Sequence, residues 1–342
     1  MIREAIGKVT RKENLSLQEA AEVMAEIMGG EATESQIGSF LTALRMKGET
    51  PDEIAGCARV MRDKAEKITI NHRILVDTCG TGGDGTGTFN ISTTAAFVAA
   101  GAGLTIAKHG NRSVSSQSGS ADVLEALGVK ISLNPGEVAK VIEQIGMGFL
   151  FAPTFHKAMK HAAGPRREIG IRSIFNILGP LTNPAGAKYQ VVGVYDARLT
   201  EIVAQVLDKL DVTAAFVVHG DGGLDEISVT GPTKVTLLQN GSIKTFMMVP
   251  EDFGFSRRKL ADVRGGNAQE NADITRRVLE GEKGAARDVV ILNAAAAICA
   301  AGVVKDLAAG VAMAEETIDT GRALAKLAQL VELTNSRLGV VG

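Results

Sequence analysis

Apolar positions recur at helical spacing through the first part of the chain: Leu17, Ala20, Ala21, Met24, Ile27 and Met28, then Ile37, Phe40, Leu41 and Leu44. Ser16 to Glu19, Thr33 to Gln36 and Thr50 to Glu53 each place a hydroxyl three residues before a carboxylate or amide. Such a pair satisfies free N–H groups at a helix start from both sides. Gly29-Gly30 and Gly48 are suitable stops. With Ile2–Thr10, the pattern predicts about four short helices and no strand.

Near residue 73 the pattern changes. Ile74-Leu75-Val76 is a short apolar run ending in a glycine-rich loop, followed by a predicted helix over Ser92–Ala102 and a second strand over Leu104-Thr105-Ile106-Ala107. Ala121–Leu127 reads as a helix, Val129–Ser132 as a candidate strand, Asn134-Pro135 as a helix start and Gly148–Phe151 as a strand. Val191–Tyr195, Leu199–Leu210 and Ala215–His219 continue the alternation as strand, helix and strand. Residues 227–248 read as hairpins, with Asn240-Gly241 the turn signal, and the chain from about residue 268 onward is helical.

Strand–helix alternation implies an α/β fold with a mostly parallel central sheet covered on both faces. The segment Gly164–Pro184 interrupts it, with helical spacing at Ile169, Ile174, Ile177 and Leu178 until Gly179-Pro180. The expected organisation is a small all-helical domain over residues 1–70, a crossover segment at about 165–184 joining it, and a larger α/β domain from 71–164 and 185–342.

The chain has 342 residues, 45% of them hydrophobic, enough for a large domain with a small one. With 37 basic and 39 acidic residues, the net charge of -2 offers no basic excess for nucleic acid or an anionic membrane. Anion binding must therefore come from a local site. Cys57, Cys79 and Cys299 lack metal-type spacing and read as reduced thiols of a cytoplasmic protein. Met1-Ile2-Arg3-Glu4 opens no apolar signal core, and no apolar run is long enough to span a bilayer. The alanine-rich Ile291–Val304 stretch reads as a buried helix.

The main chemical feature is Asp77-Thr78-Cys79-Gly80-Thr81-Gly82-Gly83-Asp84-Gly85-Thr86-Gly87-Thr88. Glycines let backbone amides approach a ligand closely, and successive N–H groups form an anion-binding nest. The loop leaves the C-terminal end of a predicted strand, where open α/β sheets bind ligands. Gly80, Gly82 and Gly85 fit the dinucleotide spacing G-x-G-x-x-G, but the second strand runs into basic Lys108-His109 where that fold wants an acid. No Walker lysine follows either, so a phosphorylated ligand without a nicotinamide fits better.

Asn90-Ile91-Ser92-Thr93 stands at a helix start, where the hydroxyls can cap the helix or face a phosphate. Lys108-His109-Gly110-Asn111-Arg112-Ser113-Val114-Ser115-Ser116-Gln117-Ser118-Gly119-Ser120 leaves the same sheet edge, and Lys108 suits a polyphosphate. Asp225-Glu226 is either solvated charge or a pair of oxygen ligands for Mg²⁺, with Asp84 a further carboxylate near metal or sugar. Arg166, in Arg166-Arg167, is either surface charge or a fork for a substrate carboxylate. His72, His156 and His161 show no metal spacing and read as structural or surface residues.

Taken together, Cys79–Asp84, Asn90–Thr93, Lys108–Arg112, Asp225-Glu226 and Arg172-Ser173-Ile174-Phe175-Asn176-Ile177-Leu178-Gly179-Pro180-Leu181-Thr182-Asn183-Pro184 resemble the signature set of anthranilate phosphoribosyltransferases. The resemblance covers nearly the whole chain in the family's order. It implies the nucleoside phosphorylase/phosphoribosyltransferase fold and a cytoplasmic homodimer through the helical domain. It also implies transfer of the phosphoribosyl group of 5-phosphoribosyl 1-pyrophosphate (PRPP) to anthranilate in tryptophan biosynthesis. By motif, Gly80, Gly83, Asp84, Thr88, Asn90, Ile91, Ser92, Thr93, Lys108, His109, Gly110, Asn111, Arg112, Ser113, Val114, Ser115, Ser116 and Ser120 fall on PRPP positions. Ser92, Asp225 and Glu226 fall on Mg²⁺ positions, with two ions expected per subunit, and Gly80, Asn111 and Arg166 on anthranilate positions. Asp84, Lys108 and Arg166 are the expected catalytic residues. The rivals are a pyrimidine nucleoside phosphorylase, which would need its own loop motifs, and a non-catalytic nucleic-acid-binding paralogue, which would need a basic surface.

Overall fold

A computed structural model describes residues 1–72, 74–113 and 117–336. Its first part folds as α1 (Ile2–Thr10), α2 (Leu17–Gly29), α3 (Glu34–Lys47) and α4 (Pro51–Lys64). All three expected capping boxes form, with Ser16, Thr33 and Thr50 accepting from the amides of Glu19, Gln36 and Glu53. Gly30 ends α2 in the left-handed region at φ 76°, which a side chain would resist. Glu53, fully buried, accepts from Leu15 N at 2.9 Å, Thr50 N at 2.8 Å and Lys47 Nζ at 3.0 Å. Phe40, Leu41, Leu44 and Ile54 fill the space between the helices. Truncating a buried side chain such as Phe40 to alanine costs about 3–5 kcal/mol.

The larger unit runs β1 (Leu75–Thr78), α5 (Ile91–Gly101), β2 (Thr105–Gly110), α6 (Ser120–Ala126), α7 (Pro135–Ile145) and β3 (Met147–Phe151). The crossover follows as α8 (Ala152–Phe155), α9 (Lys160–Ile169) and α10 (Phe175–Leu178). Then come β4 (Tyr189–Gly193), α11 (Leu199–Lys209), β5 (Ala214–Gly220), β6 (Thr233–Gln239) and β7 (Ser242–Met248). The chain closes with α12 (Ala268–Leu279), α13 (Ala285–Ala300), α14 (Leu307–Asp319) and α15 (Arg322–Asn335). Ala162, Ile174, Phe175 and Leu178 of the crossover join the same core as Phe40 and Leu44, which pins the crossover to the helical domain.

Strand order is β3-β2-β1-β4-β5-β6-β7. The strands from β3 through β5 pair in parallel, and β6 and β7 complete the sheet antiparallel. Chain order reverses at β1, so the ends of β1, β2 and β4 open on a crevice at the switch point. The alanine-rich α13 is buried along nearly its whole length and packs on α5.

Three local expectations change. Val129–Ser132 is not a strand: Val129, Ile131 and Leu133 are buried in alternation, but Lys130 N donates to Thr334 Oγ1 of α15 and no strand among the described residues pairs with it. One hairpin forms within residues 227–248, β6–β7, turned by Asn240 and Gly241 at φ 49° and 79°. β2 continues through Lys108-His109-Gly110, which the apolar pattern alone ends at Ala107. Pairing with β3 up to Gly110↔Phe151 extends it.

Candidate active site

The glycine loop follows β1 and turns through Gly82, Gly83, Gly85 and Gly87, all at positive φ between 64° and 77°. Neighbouring strands hold it. Thr81 N donates to Gly193 O at 2.9 Å, Tyr195 N donates to Thr81 Oγ1 at 3.2 Å, and Gly82 N donates to Asp225 Oδ2 at 2.7 Å. A methyl group on Gly80 would lie 2.8 Å from that same Asp225 oxygen, and one on Gly193 would lie 1.5 Å from the Asp225 carbonyl. Both glycines are therefore required by close approach. Asp84 accepts from Thr86 Oγ1 at 2.6 Å and faces the amide of Asp225 at 3.4 Å.

Asp225 and Glu226 follow β5 and tie two parts of the site together. Asp225 reaches Gly82 N, while Glu226 Oε1 accepts from Ser92 N at 3.1 Å at the start of α5. Burial, and then the like charge of a neighbour (Asp84 for Asp225, Asp225 for Glu226), pushes both carboxyls above the usual carboxylate range. Their charge is short of a positive partner. Hard oxygen donors in that condition fit Mg²⁺, which takes few protein ligands and keeps water and phosphate oxygens. Among the described residues no three His, Cys, Asp or Glu side chains gather to hold a metal alone, consistent with such sharing.

Lys108 is buried, and Nζ donates to Thr78 O at 2.5 Å; Thr78 Oγ1 in turn donates to Ser92 O at 3.0 Å. Next to it on β1, Asp77 is fully buried and accepts from His109 N at 3.1 Å and from Asn183 Nδ2 at 2.7 Å. Burial pushes the Asp77 carboxyl up to about 6, with Lys108 pulling it back. His109 Nδ1 faces Gly179 O at 3.2 Å, and its ring lies 5.1 Å from that of His156. Burial holds His109 down at about 3 and His156 at about 4, so both are neutral. His156 is buried rather than on the surface.

Asn90 Oδ1 accepts from Asn271 Nδ2 at 2.9 Å, and Asn90 Nδ2 donates to Ser118 O at 3.2 Å. Ile91 faces the core, and its amide donates to Phe89 O. Thr93 is buried within the first turn of α5. Ser120 Oγ donates to Asn111 O at 3.2 Å, and Gly110 has no room for a side chain beside Ser120 and Phe149. Ser113 N donates to Asp122 Oδ2 at 3.1 Å. Val114, Ser115 and Ser116 lie outside the described residues.

Two expected ligands have other contacts. Arg112 pairs with Asp122 at 2.8 Å and Glu125 at 2.6 Å and lies over Phe151, so it is held by α6. Arg166, at the end of α9, stacks 5.0 Å over Phe175 and has no acid partner among the described residues. Burial lowers its guanidinium pKa. A half-buried cation without a counter-ion is poised for a carboxylate.

Other supports were given no individual role by the sequence, although Arg172 and Asn183 lie within the signature run Arg172–Pro184. Arg172 donates to Gly83 O and stacks 4.4 Å over Tyr195, joining the crossover to the glycine loop. Asn183 and Asn271 act through single buried amides. The pair Gly265-Gly266, just before the capping Asn267, is a local hint that the chain passes close to another backbone there.

Residues 3–65 match the helical bundle domain of a glycosyl transferase family, and residues 72–324 match its a/b domain. An anthranilate phosphoribosyltransferase of Moorella thermoacetica is 59% identical over 98% of this chain and 99% of the relative. The chain belongs to the anthranilate phosphoribosyltransferase family. The family's enzyme from Thermus thermophilus superposes with a TM-score of 0.93 at 44% identity, covering 97% of this chain and 99% of the other. That from Saccharomyces cerevisiae, in complex with PRPP and Mg, gives 0.89 at 30% identity over 97% of both chains. The yeast enzyme is also known in complex with 4-fluoroanthranilate. In the family's frame, the helical bundle and the α/β unit correspond to the two matched domains.

Proposed function

We infer that this site transfers the phosphoribosyl group of PRPP to the amine of anthranilate, releasing pyrophosphate, as a step of tryptophan biosynthesis. One observation carries the reading: hydrogen bonds through Gly82, Ser92 and Thr78 link the glycine loop, Lys108 and the Asp225-Glu226 pair at one edge of the sheet. The whole-chain likeness to transferases of this name supports it.

The leaving group is highly charged, so the protein's main task is electrostatic. Amides of Gly80 to Thr88, the start of α5 at Asn90 to Thr93 and the cation of Lys108 receive the phosphates. His109 to Ser116 and Ser120 are the further donor contacts that the family motif implies, of which Val114, Ser115 and Ser116 lie outside the described residues. Ser92, Asp225 and Glu226 would hold Mg²⁺, with two ions per subunit expected, and the metal would offset charge on the departing pyrophosphate. Asp84 offsets positive charge as the anomeric carbon loses its leaving group. Arg166 binds the anthranilate carboxylate, and Gly80 and Asn111 position the ring, so the amine arrives oriented. An aryl amine needs no strong base before attack.

The domain boundaries of this reading are residues 1–70 with the crossover at about 165–184 on the helical side, and 71–164 with 185–342 on the other, although Val203, Leu207 and Val217 of the second unit share a core with the helical bundle. Closure between them excludes water that would hydrolyse the donor. The working form is a cytoplasmic homodimer through the helical domain, where Met1 and Met46 are exposed apolar residues; light scattering on the purified chain reads its mass. No described helix is long and apolar enough to cross a membrane.

Anthranilate fluorescence tests the reaction directly. It should fall on addition of PRPP with Mg²⁺ and hold steady without the metal. A steady signal with all three components present would overturn the assignment.

A further inference from the structure

The segment from Val263 to Gly266 runs antiparallel to the end of the glycine loop. Gly265 N donates to Gly87 O at 2.9 Å and Phe89 N donates to Val263 O at 3.3 Å, leaving Thr88 and Arg264 as the bridged pair between them. These bonds flank the pair and do not join it. In that type of antiparallel pair, opposed Cα atoms stand about 4.5 Å apart and the side chains are closest. Phe89 and Val263 are buried in the core. Side chains alternate along extended backbone, so Thr88 and Arg264 project together on the opposite side.

The contact is built for close approach. A methyl group on Gly265 would lie 2.6 Å from both N and Cα of Phe89, so only glycine lets the two backbones meet. A third anchor is Asn271, buried in α12: its Oδ1 accepts from Gly266 N at 2.8 Å and its Nδ2 donates to Asn90 Oδ1 at 2.9 Å. The strap is therefore fixed to Gly87, Phe89 and Asn90, all within or next to the donor loop. Arg264 itself is exposed, and its guanidinium has no hydrogen bond or ion pair among the described residues. Arg112 and Arg258, by contrast, are neutralised by Asp122, Glu125 and Asp288.

We infer that Arg264 is a further donor-binding residue, whose guanidinium grips a phosphate group of PRPP beside the Thr88 hydroxyl. The inference rests on the reading above that Thr88 lies on the donor site. A planar guanidinium presents paired N–H donors to phosphate oxygens, and an unpaired one has no acid to give up first.

Steady-state kinetics on Arg264→Ala, Arg264→Lys, Thr88→Val and the Thr88→Val/Arg264→Ala double variant test it. Arg264→Ala should raise KM for PRPP about 10- to 100-fold, the loss expected for a hydrogen bond to a charged group. KM for anthranilate and kcat should barely move, as for an interaction made equally in ground and transition states. Lysine should restore part of the loss, since it keeps the charge without the fork. In the double variant the two effects should fall short of multiplying, because both groups hold the same phosphate. If Thr88→Val raises KM for PRPP and Arg264→Ala does not, Arg264 is surface charge and the inference falls while the site reading stands. If neither substitution alters KM for PRPP in an active enzyme, Thr88 is misplaced and both fall. Equal losses in both Michaelis constants with lower kcat in Arg264→Ala and Arg264→Lys alike would mark a structural strap and also overturn the inference.

Discussion

Asn183→Ala tests whether the site's buried charge is held by the crossover. Asn183 is buried, and its Nδ2 donates both to Asp77 Oδ2 at 2.7 Å and to Ala107 O at 2.8 Å. Its Oδ1 accepts from Ala185 N at 2.9 Å. Alanine removes all three bonds. The bond to the Asp77 carboxylate is worth about 1.5–3 kcal/mol and each neutral one about 0.5–1.5 kcal/mol. Water admitted to the vacated space would recover part, so we expect a net loss of about 2–4 kcal/mol. Because Asp77 also accepts from His109 N, the end of β2 carrying Lys108 should loosen and KM for PRPP should rise. Urea denaturation followed by circular dichroism reads the stability. The same substitution in an Asp77→Asn background supplies the control: with the charge already absent, the penalty of losing Asn183 should shrink. A loss below about 0.5 kcal/mol, the range of indifferent surface changes, would refute the reasoning. An equal penalty in both backgrounds would show that the carboxylate is not what Asn183 serves.

Arg166→Ala should raise KM for anthranilate about 10- to 100-fold with little change for PRPP, because no acid among the described residues competes for this guanidinium; equal effects on both substrates would remove it from the acceptor site. Asp225→Ala with Glu226→Ala should abolish the dependence of rate on Mg²⁺ concentration, and a dependence identical to that of the native chain would take the pair off the metal. Arg172→Ala, by freeing Gly83 O, should raise KM for PRPP about two- to tenfold while unfolding stability changes little; an unchanged KM would make Arg172 a bystander. His109 at about 3 and His156 at about 4 contribute stability that is lost as pH drops from about 6.5 towards 4, because they bind protons less readily folded than unfolded, while the raised carboxyls of Asp77, Asp225 and Glu226 contribute in the opposite sense. Relative to the native chain, His156→Gln should gain stability as pH drops through that range, read by urea denaturation at each pH, and a difference that does not vary with pH would refute the role of His156.

The fold was legible wherever local chemistry decides it. Capping boxes at Ser16, Thr33 and Thr50 set helix starts from atoms three residues apart, and Asn240-Gly241 sets its turn by conformation alone. The pattern misled where a long-range partner decides. Val129 to Leu133 alternates like a strand, yet α15 covers it. Lys108 and His109 look like loop residues, yet β3 and the Asp77 carboxylate hold them in a strand. The candidate site divides the same way. Gly80 to Asp84 and Asp225-Glu226 announce themselves by composition, because nests and carboxylate pairs are local. Asn271 and the Gly265-Gly266 strap do not, and the roles of Arg172 and Asn183 within their signature run do not either, because each acts through contacts with residues far away in the chain.

Those distant contacts are what the chemistry demands. A site for a multiply charged donor needs fixed dipoles and a cation already in place, since reorganising them during the reaction would forfeit their advantage. Glycine loops alone cannot supply that rigidity, because the freedom that lets Gly82 and Gly83 take positive φ also lets them leave it. Here each flexible element is tied by a less flexible neighbour: Gly82 by Asp225, Gly83 by Arg172, Gly87 by Gly265, Lys108 by Thr78. The ties gather Asp77, Asp84, Asp225 and Glu226 in one region, where Lys108 offsets the charge of Asp77 and Glu226. An anionic donor would be repelled from such a crevice unless positive charge arrived with it. On the proposed reading, the raised carboxyls of Asp225 and Glu226 would be the local cost of a site that a divalent cation and the phosphates complete together.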